Sequence, residues 1–158
     1  MQFTLHLFTS EQADAIRRDP ATLVAVAMDM HGKNSLYIDK DWQAIHYLFT
    51  QHAEPVAGAL SSSIFEGEGI GDDLGYGPAR LLTPTEVKQI AAALARVTKA
   101  KVMARYDAAK MDAANIYPEI WVRDGKEARD EVISTYGQFV SFYRHAAETG
   151  DFVLLVLA

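Results

Sequence analysis

The chain has 158 residues, no cysteine and a formal charge of −6 at neutral pH, from 15 basic and 21 acidic residues. This length fits one domain, and 49% apolar residues are enough to bury a core without disulfide or metal staples. The lack of cysteine excludes disulfides, thiolate zinc sites and cysteine nucleophiles, and it suits a reducing compartment. Nucleic-acid binding needs a concentrated basic surface, whereas Lys and Arg are scattered here, so we expect no nucleic-acid partner.

The N-terminus and the hydropathy pattern predict a soluble cytoplasmic protein. Residues 1–8 lack the basic segment and the small-residue cleavage site of a secretory signal. No apolar run approaches the ~20 residues that a membrane-spanning helix requires. We therefore expect no association with a membrane.

The first half of the chain predicts a strand, two helices, a short extended segment and a third helix. Residues 2–8 alternate as in a half-buried strand, with Phe3, Leu5 and Leu7 facing inward and Thr4 and His6 on the other side. The next helix is capped by Thr9 or Ser10, with Ala13 and Ile16 inward, and Asp19-Pro20 starts another, with Leu23, Val24, Ala27 and Met28 inward. Residues 32–34 end that helix, and Leu36 and Ile38 form a short extended piece. Asp39 is the predicted N-cap of a helix over residues 40–52, whose inner stripe is Trp42, Ile45, His46 and Phe49.

The middle of the chain, residues 56–80, is predicted to be irregular apart from a short helix at 56–60. It contains six glycines and several acidic residues. A span of this length without structure is unusual in a compact domain, which favours a functional loop. The carboxylates would repel phosphate, and their spacing does not match a calcium-binding loop. We therefore expect neither a metal nor a cofactor.

The second half predicts helices followed by a terminal strand. Thr83 and Glu86 form a capping box that starts a helix reaching about Val97. Thr98 and Asp107 can cap two shorter helices, and a long amphipathic helix over residues 126–149 stops at Gly150. Residues 152–157 are apolar on both faces, which places that strand in the centre of a sheet. The predicted fold is therefore a single α+β domain over residues 1–158, with a small mixed or antiparallel sheet covered by several helices.

Three separated segments carry distinctive combinations of aromatic, glycine and charged residues. They are LYIDKDWQAIHYLFT at residues 36–50, DLGYGPARLLTPTEV at 73–87 and MDAANIYPEIW at 111–121. Together with the long last helix, these segments resemble the YfbM-like family, the domain of unknown function numbered 1877. Gln51 departs from the family pattern, in which many relatives have Gly.

The resemblance implies a compact α+β domain and no particular activity, so it identifies no catalytic residue. By resemblance alone, the candidate site positions are Lys40, Trp42, His46, Gly75, Tyr76, Gly77, Pro78, Arg80, Tyr117 and Pro118.

Two functional hypotheses remain open at this point. The acidic composition and the acidic loop favour a protein-binding module for a basic partner, of the immunity or antitoxin kind. The alternative is a small-ligand-binding protein or enzyme, with a cleft between the Trp42/His46 helix, the Tyr76–Arg80 loop and the Tyr117–Trp121 turn. In that cleft Arg80 would hold a carboxylate or phosphate, and His46 would transfer a proton. The candidate ligand-binding residues are Lys40, Trp42, His46, Asp73, Tyr76, Arg80, Tyr117 and Trp121.

Each of these residues also has a structural interpretation. A histidine on an apolar helix face is usually a core residue whose ring is hydrogen-bonded. Arg80 could form an ion pair with Asp72 or Asp73 that pins the loop. The two aromatic residues around Pro118 could simply fill the core.

Overall fold

The computed structural model describes residues 1–29 and 31–158, except for the side chains of Val24, Ala27 and Met28. The strands are β1 (Phe3–Phe8), β2 (Ser35–Asp39), β3 (Glu68–Ile70), β4 (Ala79–Leu82) and β5 (Phe152–Leu157). The helices are α1 (Ser10–Arg18), α2 (Leu23–Met28), α3 (Trp42–Thr50), α4 (Ala59–Phe65), α5 (Pro84–Ala95), α6 (Lys99–Arg105), α7 (Ala108–Ala113) and α8 (Trp121–Thr149). A 3-10 turn at Pro20–Thr22 precedes α2.

The five strands form one antiparallel sheet in the order β2-β1-β5-β4-β3. The predicted α+β class is confirmed, and the last strand lies at the centre as expected. Val153 and Leu155 join the larger hydrophobic cluster on one face, whereas Leu154 and Val156 join a smaller cluster on the other. Both faces of β5 are covered, which explains why its sequence is apolar throughout.

The two faces of the sheet are covered unequally. Helices α3, α4, α5 and α8 contribute to the larger cluster, and α1 and α2 contribute to the smaller one. The predicted outward side of β1 is wrong, because Thr4 and His6 are both buried. The helix pair α1–α2 shields that face, so the period-two pattern of β1 does not indicate exposure to solvent. The predicted inner positions Val24, Ala27 and Met28 lie outside the described side chains.

The predicted helix caps are confirmed where the sequence carried a strong signal. Thr9 and Gln12 form one capping box, and Thr83 and Glu86 form another, in which Thr83 N donates to Glu86 Oε2 at 2.7 Å. The hydroxyl of Thr98 and the carboxylate of Asp107 accept from backbone N–H groups at the starts of α6 and α7. Gly150 ends α8 in the left-handed conformation, with φ 72°.

Three local predictions are corrected by long-range contacts. Asp39 is the last residue of β2, with φ 44°, and does not cap α3, which begins at Trp42. Residues 56–80 contain α4 and the β3–β4 hairpin, which is held by pairing with β5. Helix α8 begins at Trp121 rather than at 126 and is interrupted at Gly125 (φ 53°, ψ −117°). Its first turn is capped from a distance by Asp112, which accepts the backbone N–H groups of Trp121 and Val122.

Across residues 1–29 and 31–158, no helix combines the length and apolar character needed to cross a membrane.

Candidate functional site

The start of α3 and the turn at residues 116–121 lie side by side. Tyr117 N donates to Gln43 Oε1 at 2.8 Å, and Gln43 Nε2 donates to the carbonyl of Ala53 at 3.4 Å. The rings of Trp42 and Tyr117 pack with their centroids 6.3 Å apart. Two of the three segments that the sequence singled out therefore meet in space.

The two tryptophans of these segments, Trp42 and Trp121, are buried in the hydrophobic core. Trp121 is 1% exposed, and its indole N–H donates to the carbonyl of Ile116 at 2.7 Å. Trp42 is also buried and packs edge-on against Phe65. Both residues belong to the larger hydrophobic cluster, so substituting either one would first disturb the fold.

His46 is fully buried and joins α3 to α4. Its Nε2 lies 3.0 Å from Ser61 Oγ, which also accepts the N–H of Val56 at 3.1 Å. Burial lowers the pKa of His46, which favours the neutral ring. This geometry favours the structural interpretation of His46, because a ring sealed in the core has no route for exchanging a proton with a ligand.

The Tyr76–Arg80 loop lies near the opposite edge of the sheet. It connects β3 to β4, whereas α3 follows β2, the strand at the other edge. Asp73 Oδ1 accepts the N–H groups of Gly75 at 2.7 Å and Gly77 at 2.9 Å, and these bonds lower the pKa of Asp73. The loop is therefore closed largely by its own hydrogen bonds.

The guanidinium of Arg80 lies close to Gly77 of the same loop. A Cβ placed on Gly77 would come within 3.1 Å of Arg80 Nη2. Arg80 forms no ion pair with any described residue, so the predicted pair with Asp72 or Asp73 is not seen. The first and third segments are therefore in contact, whereas the Tyr76–Arg80 loop of the second segment lies apart from them.

A cavity of about 520 Å³ opens where β2 ends, beside the α3–turn contact. We call it the β2-end cavity. Its lining comes from β2, the β2–α3 junction, the 116–121 turn and α8: Tyr37, Ile38, Asp39, Lys40, Asp41, Pro118, Ile120, Arg123, Asp124, Glu131 and Thr135. Lys40 and Pro118 are the predicted site positions that line it directly.

Asp41 is the unusual group of the β2-end cavity. The pKa of its carboxyl is raised to about 6, mainly by burial and in smaller part by the nearby carboxylates of Glu131 and Asp39. The Thr135 hydroxyl donates to Asp41 Oδ2 at 2.8 Å, which opposes the rise. None of the three carboxylates forms an ion pair within residues 1–29 and 31–158.

The cationic groups around the cavity do not balance these carboxylates. Arg123 is paired with its neighbour Asp124, with Arg123 Nε 2.6 Å from Asp124 Oδ1. Lys40 is exposed and makes no salt bridge to another described side chain. The cavity therefore presents a net negative lining beside the apolar surfaces of Ile120 and Pro118.

The fold and the site now allow comparison with known proteins. The family model described as Domain of unknown function (DUF1877) matches residues 1–156. The chain belongs to this family. A solved structure titled "The Crystal Structure of a Protein of Unknown Function YfbM from Escherichia coli" is similar over 100% of both chains, with a TM-score of 0.75 and 17% identity. At this identity the likeness shows a shared fold. Among curated proteins, no significant match to the sequence is found.

Within this DUF1877 chain, sequence reasoning missed Asp41 as a site residue. The available signal was the run Asp39-Lys40-Asp41 at a strand-to-helix junction, where two carboxylates flank one lysine. Glu131 and Thr135 gave no such signal, because they lie on one face of a long amphipathic helix. Only the packing of α8 against β2 brings them to Asp41.

Proposed function

We propose that this DUF1877 protein is a protein-binding module that recognises a basic partner through the β2-end cavity. A lysine or arginine side chain of the partner would enter beside Asp41. The observation that carries the proposal is the partly buried Asp41 carboxyl, which has a raised pKa and forms no salt bridge with Lys40, Arg123 or any other described cation. A cytoplasmic location and a partnership of the immunity or antitoxin kind belong to the same proposal.

The charge arrangement supports a cationic group. An ionised carboxylate held among other carboxylates in a partly dehydrated site is unfavourable unless an opposite charge approaches it. An incoming ammonium or guanidinium would relieve the repulsion between Asp41, Glu131 and Asp39. Its aliphatic stem could lie along Ile120 and Pro118, as long cationic side chains commonly do on apolar surfaces.

The charge of the whole chain supports the same kind of partner. A formal charge of −6 attracts basic proteins and accelerates their encounter, with a strong dependence on ionic strength. The cavity would add specificity to this general attraction, because a fixed carboxylate in a shaped site recognises one side chain rather than a diffuse patch.

A pull-down from lysate at low and high salt tests the proposal with three forms of the protein. The wild type should retain a basic protein at low salt and retain less of it at high salt. The amount of that protein retained by the Asp41→Asn variant should be lower by about tenfold or more, because truncating one partner of a buried charge pair costs about 2 kcal/mol or more of binding free energy. Glu148→Gln, which removes an exposed carboxylate of α8, is the control matched in charge and should behave as wild type.

Two results would count against this function. One is retention of no protein at either salt concentration. The other is equal retention by wild type and Asp41→Asn, which would show that any binding uses a different surface.

A small-ligand or enzymatic role is the second candidate, and it favours the same cavity. A volume of about 520 Å³ falls within the usual range for small-molecule sites. A carboxyl with a pKa of about 6 suits proton transfer near neutral pH, which moves that role from His46 to Asp41. Titration with cadaverine separates the candidates. Saturable binding that Asp41→Asn abolishes, without any retained protein, would favour the small ligand.

A further inference from the structure

A second cavity, of about 420 Å³, lies on the other face of the sheet, between β1, the start of β2 and the helices α1 and α2. We call it the His6 cavity. His6 and Phe8 form its buried part, and exposed Asp29 and Lys33 stand at its rim. It shares no lining residue with the β2-end cavity, so it is independent of the function proposed above.

The direction of the His6 side chain follows from the strand. Phe8 belongs to the smaller hydrophobic cluster, and residues two apart on a strand point to the same face. His6 therefore points towards α1 and α2, where the cavity lies. Gln12 of α1 and Val26 of α2 complete that side of the lining.

The His6 ring is a buried polar group without a partner. His6 is 5% exposed, and its Nε2 has no hydrogen-bond partner among the described residues. An unpaired buried polar atom destabilises the folded state, so native proteins rarely leave one unless it has a use. Burial lowers the pKa of His6, although Asp29 opposes the effect, and the ring is neutral with one donor and one acceptor nitrogen.

The other polar groups of the cavity are either already bonded or stand at the rim. The Ser35 hydroxyl lies 2.8 Å from the carbonyl of Gly32 and 3.2 Å from that of Asp29. Gln12 Oε1 accepts the N–H of Thr9. The rim residues Asp29 and Lys33 carry opposite charges and form no ion pair with each other.

We infer that the His6 cavity binds a small zwitterion of amino-acid size with an apolar body. Its ammonium would face Asp29, its carboxylate would face Lys33, and its body would lie against Phe8. A polar atom at the inner end of the body would hydrogen-bond the His6 ring. Such a ligand would give the unpaired His6 Nε2 a hydrogen-bond partner. It would also place an opposite charge beside each of the two rim residues, Asp29 and Lys33.

The test uses L-tyrosine and L-phenylalanine as probes of the full-length protein, followed by nuclear magnetic resonance of the His6 ring. The two probes differ by one hydroxyl, which only the tyrosine can offer to His6. L-Tyrosine should shift the ring resonance saturably and bind about tenfold more tightly than L-phenylalanine, as expected for one buried hydrogen bond. Equal affinity for the two probes, or no saturable shift with either, would overturn the inference.

Variants separate the parts of the assignment. His6→Phe should remove the preference for L-tyrosine, and retention of that preference would contradict the role of His6. Lys33→Met changes only an exposed rim residue, so it should leave the fold intact and weaken both probes by a similar factor. It keeps the inference testable if His6→Phe does not fold, since unchanged binding by Lys33→Met would exclude the zwitterion. Glu148→Gln, which removes an exposed carboxylate of α8 outside the cavity lining, is the control, and its binding of L-tyrosine should equal that of wild type.

Discussion

A carboxylate of interest lies near each edge of the sheet, and the two carboxylates differ in whether hydrogen bonds or opposite charges compensate them. At the hairpin edge, the carboxylate of Asp73 is bonded to the backbone of its own loop. At the β2 edge, Asp41 lies partly buried beside Glu131 and Asp39, with a raised pKa. The loop completes its own hydrogen bonds, whereas Asp41 in the β2-end cavity has no salt-bridge partner among the described residues.

This contrast shows why the glycine-rich loop drew attention in the sequence while the cavity did not. Glycines and acidic residues in a short segment mark a turn that needs special backbone angles, such as φ 115° at Gly75 and 96° at Gly77. A binding site needs unlike groups from distant segments, and the β2-end cavity draws them from β2, the 116–121 turn and α8. The following predictions test the contrast between the two edges.

The largest expected difference comes from truncating one aromatic residue near each edge. Trp121→Ala should lower the free energy of unfolding by about 3–5 kcal/mol, because it empties a core position and removes the hydrogen bond to Ile116. Tyr76→Ala should change it by no more than about 0.5 kcal/mol, because Tyr76 is 49% exposed. Urea denaturation measures both. Similar losses would show that the hairpin loop is as firmly packed as the 116–121 turn.

A smaller effect is expected from Asp41→Asn, and it should depend on pH. The folded pKa of about 6 lies above the ordinary aspartate value of 3.8, so the folded state keeps its proton to higher pH than the unfolded state. The stability of the wild type therefore falls as the pH rises from about 4 to about 6, and the neutral amide avoids this loss. At about pH 8 we expect the variant to be more stable than wild type by about 1–3 kcal/mol, and near pH 4 by almost nothing.

Urea denaturation at a series of pH values measures this difference. Glu148→Gln serves as the control and should give a curve parallel to that of wild type. A stability gain for Asp41→Asn that stays constant with pH would mean that the Asp41 carboxyl does not titrate in this window.

A small effect is also expected at the hairpin edge from Arg80→Ala. Arg80 has no ion-pair partner within the described ranges, so its removal should cost less than about 1 kcal/mol. Retention of the basic protein in the pull-down should be unchanged. A loss above about 3 kcal/mol in urea denaturation would reveal a buried charge pair and would remove the distinction between the two edges.

Local signals in the sequence were sufficient for much of the fold. The capping box at Thr83, a cap at Thr9 or Ser10 and the stop at Gly150 were predicted correctly, because each depends on hydrogen bonds or backbone angles within a few residues. The central position of β5 was also predicted, since a strand that is apolar on both sides has to be covered on both sides. The hairpin of β3 and β4 was missed, because its short strands are defined by pairing, β3 with β4 and β4 with the distant strand β5.

The sequence by itself determined the α+β class, the caps of the main helices and the family, because these depend on local patterns and on blocks of residues in a fixed order. It also brought Lys40 and the 116–121 turn into consideration. Only the tertiary structure decided that the Tyr76–Arg80 loop lies apart from them, that His46 is sealed in the core, and that Asp41 and His6 face cavities. The reason is physical, because the burial and the electrostatic environment of a residue depend on which other segments pack against it. Asp41 and Thr135, for example, are hydrogen-bonded although they lie 94 positions apart in the sequence.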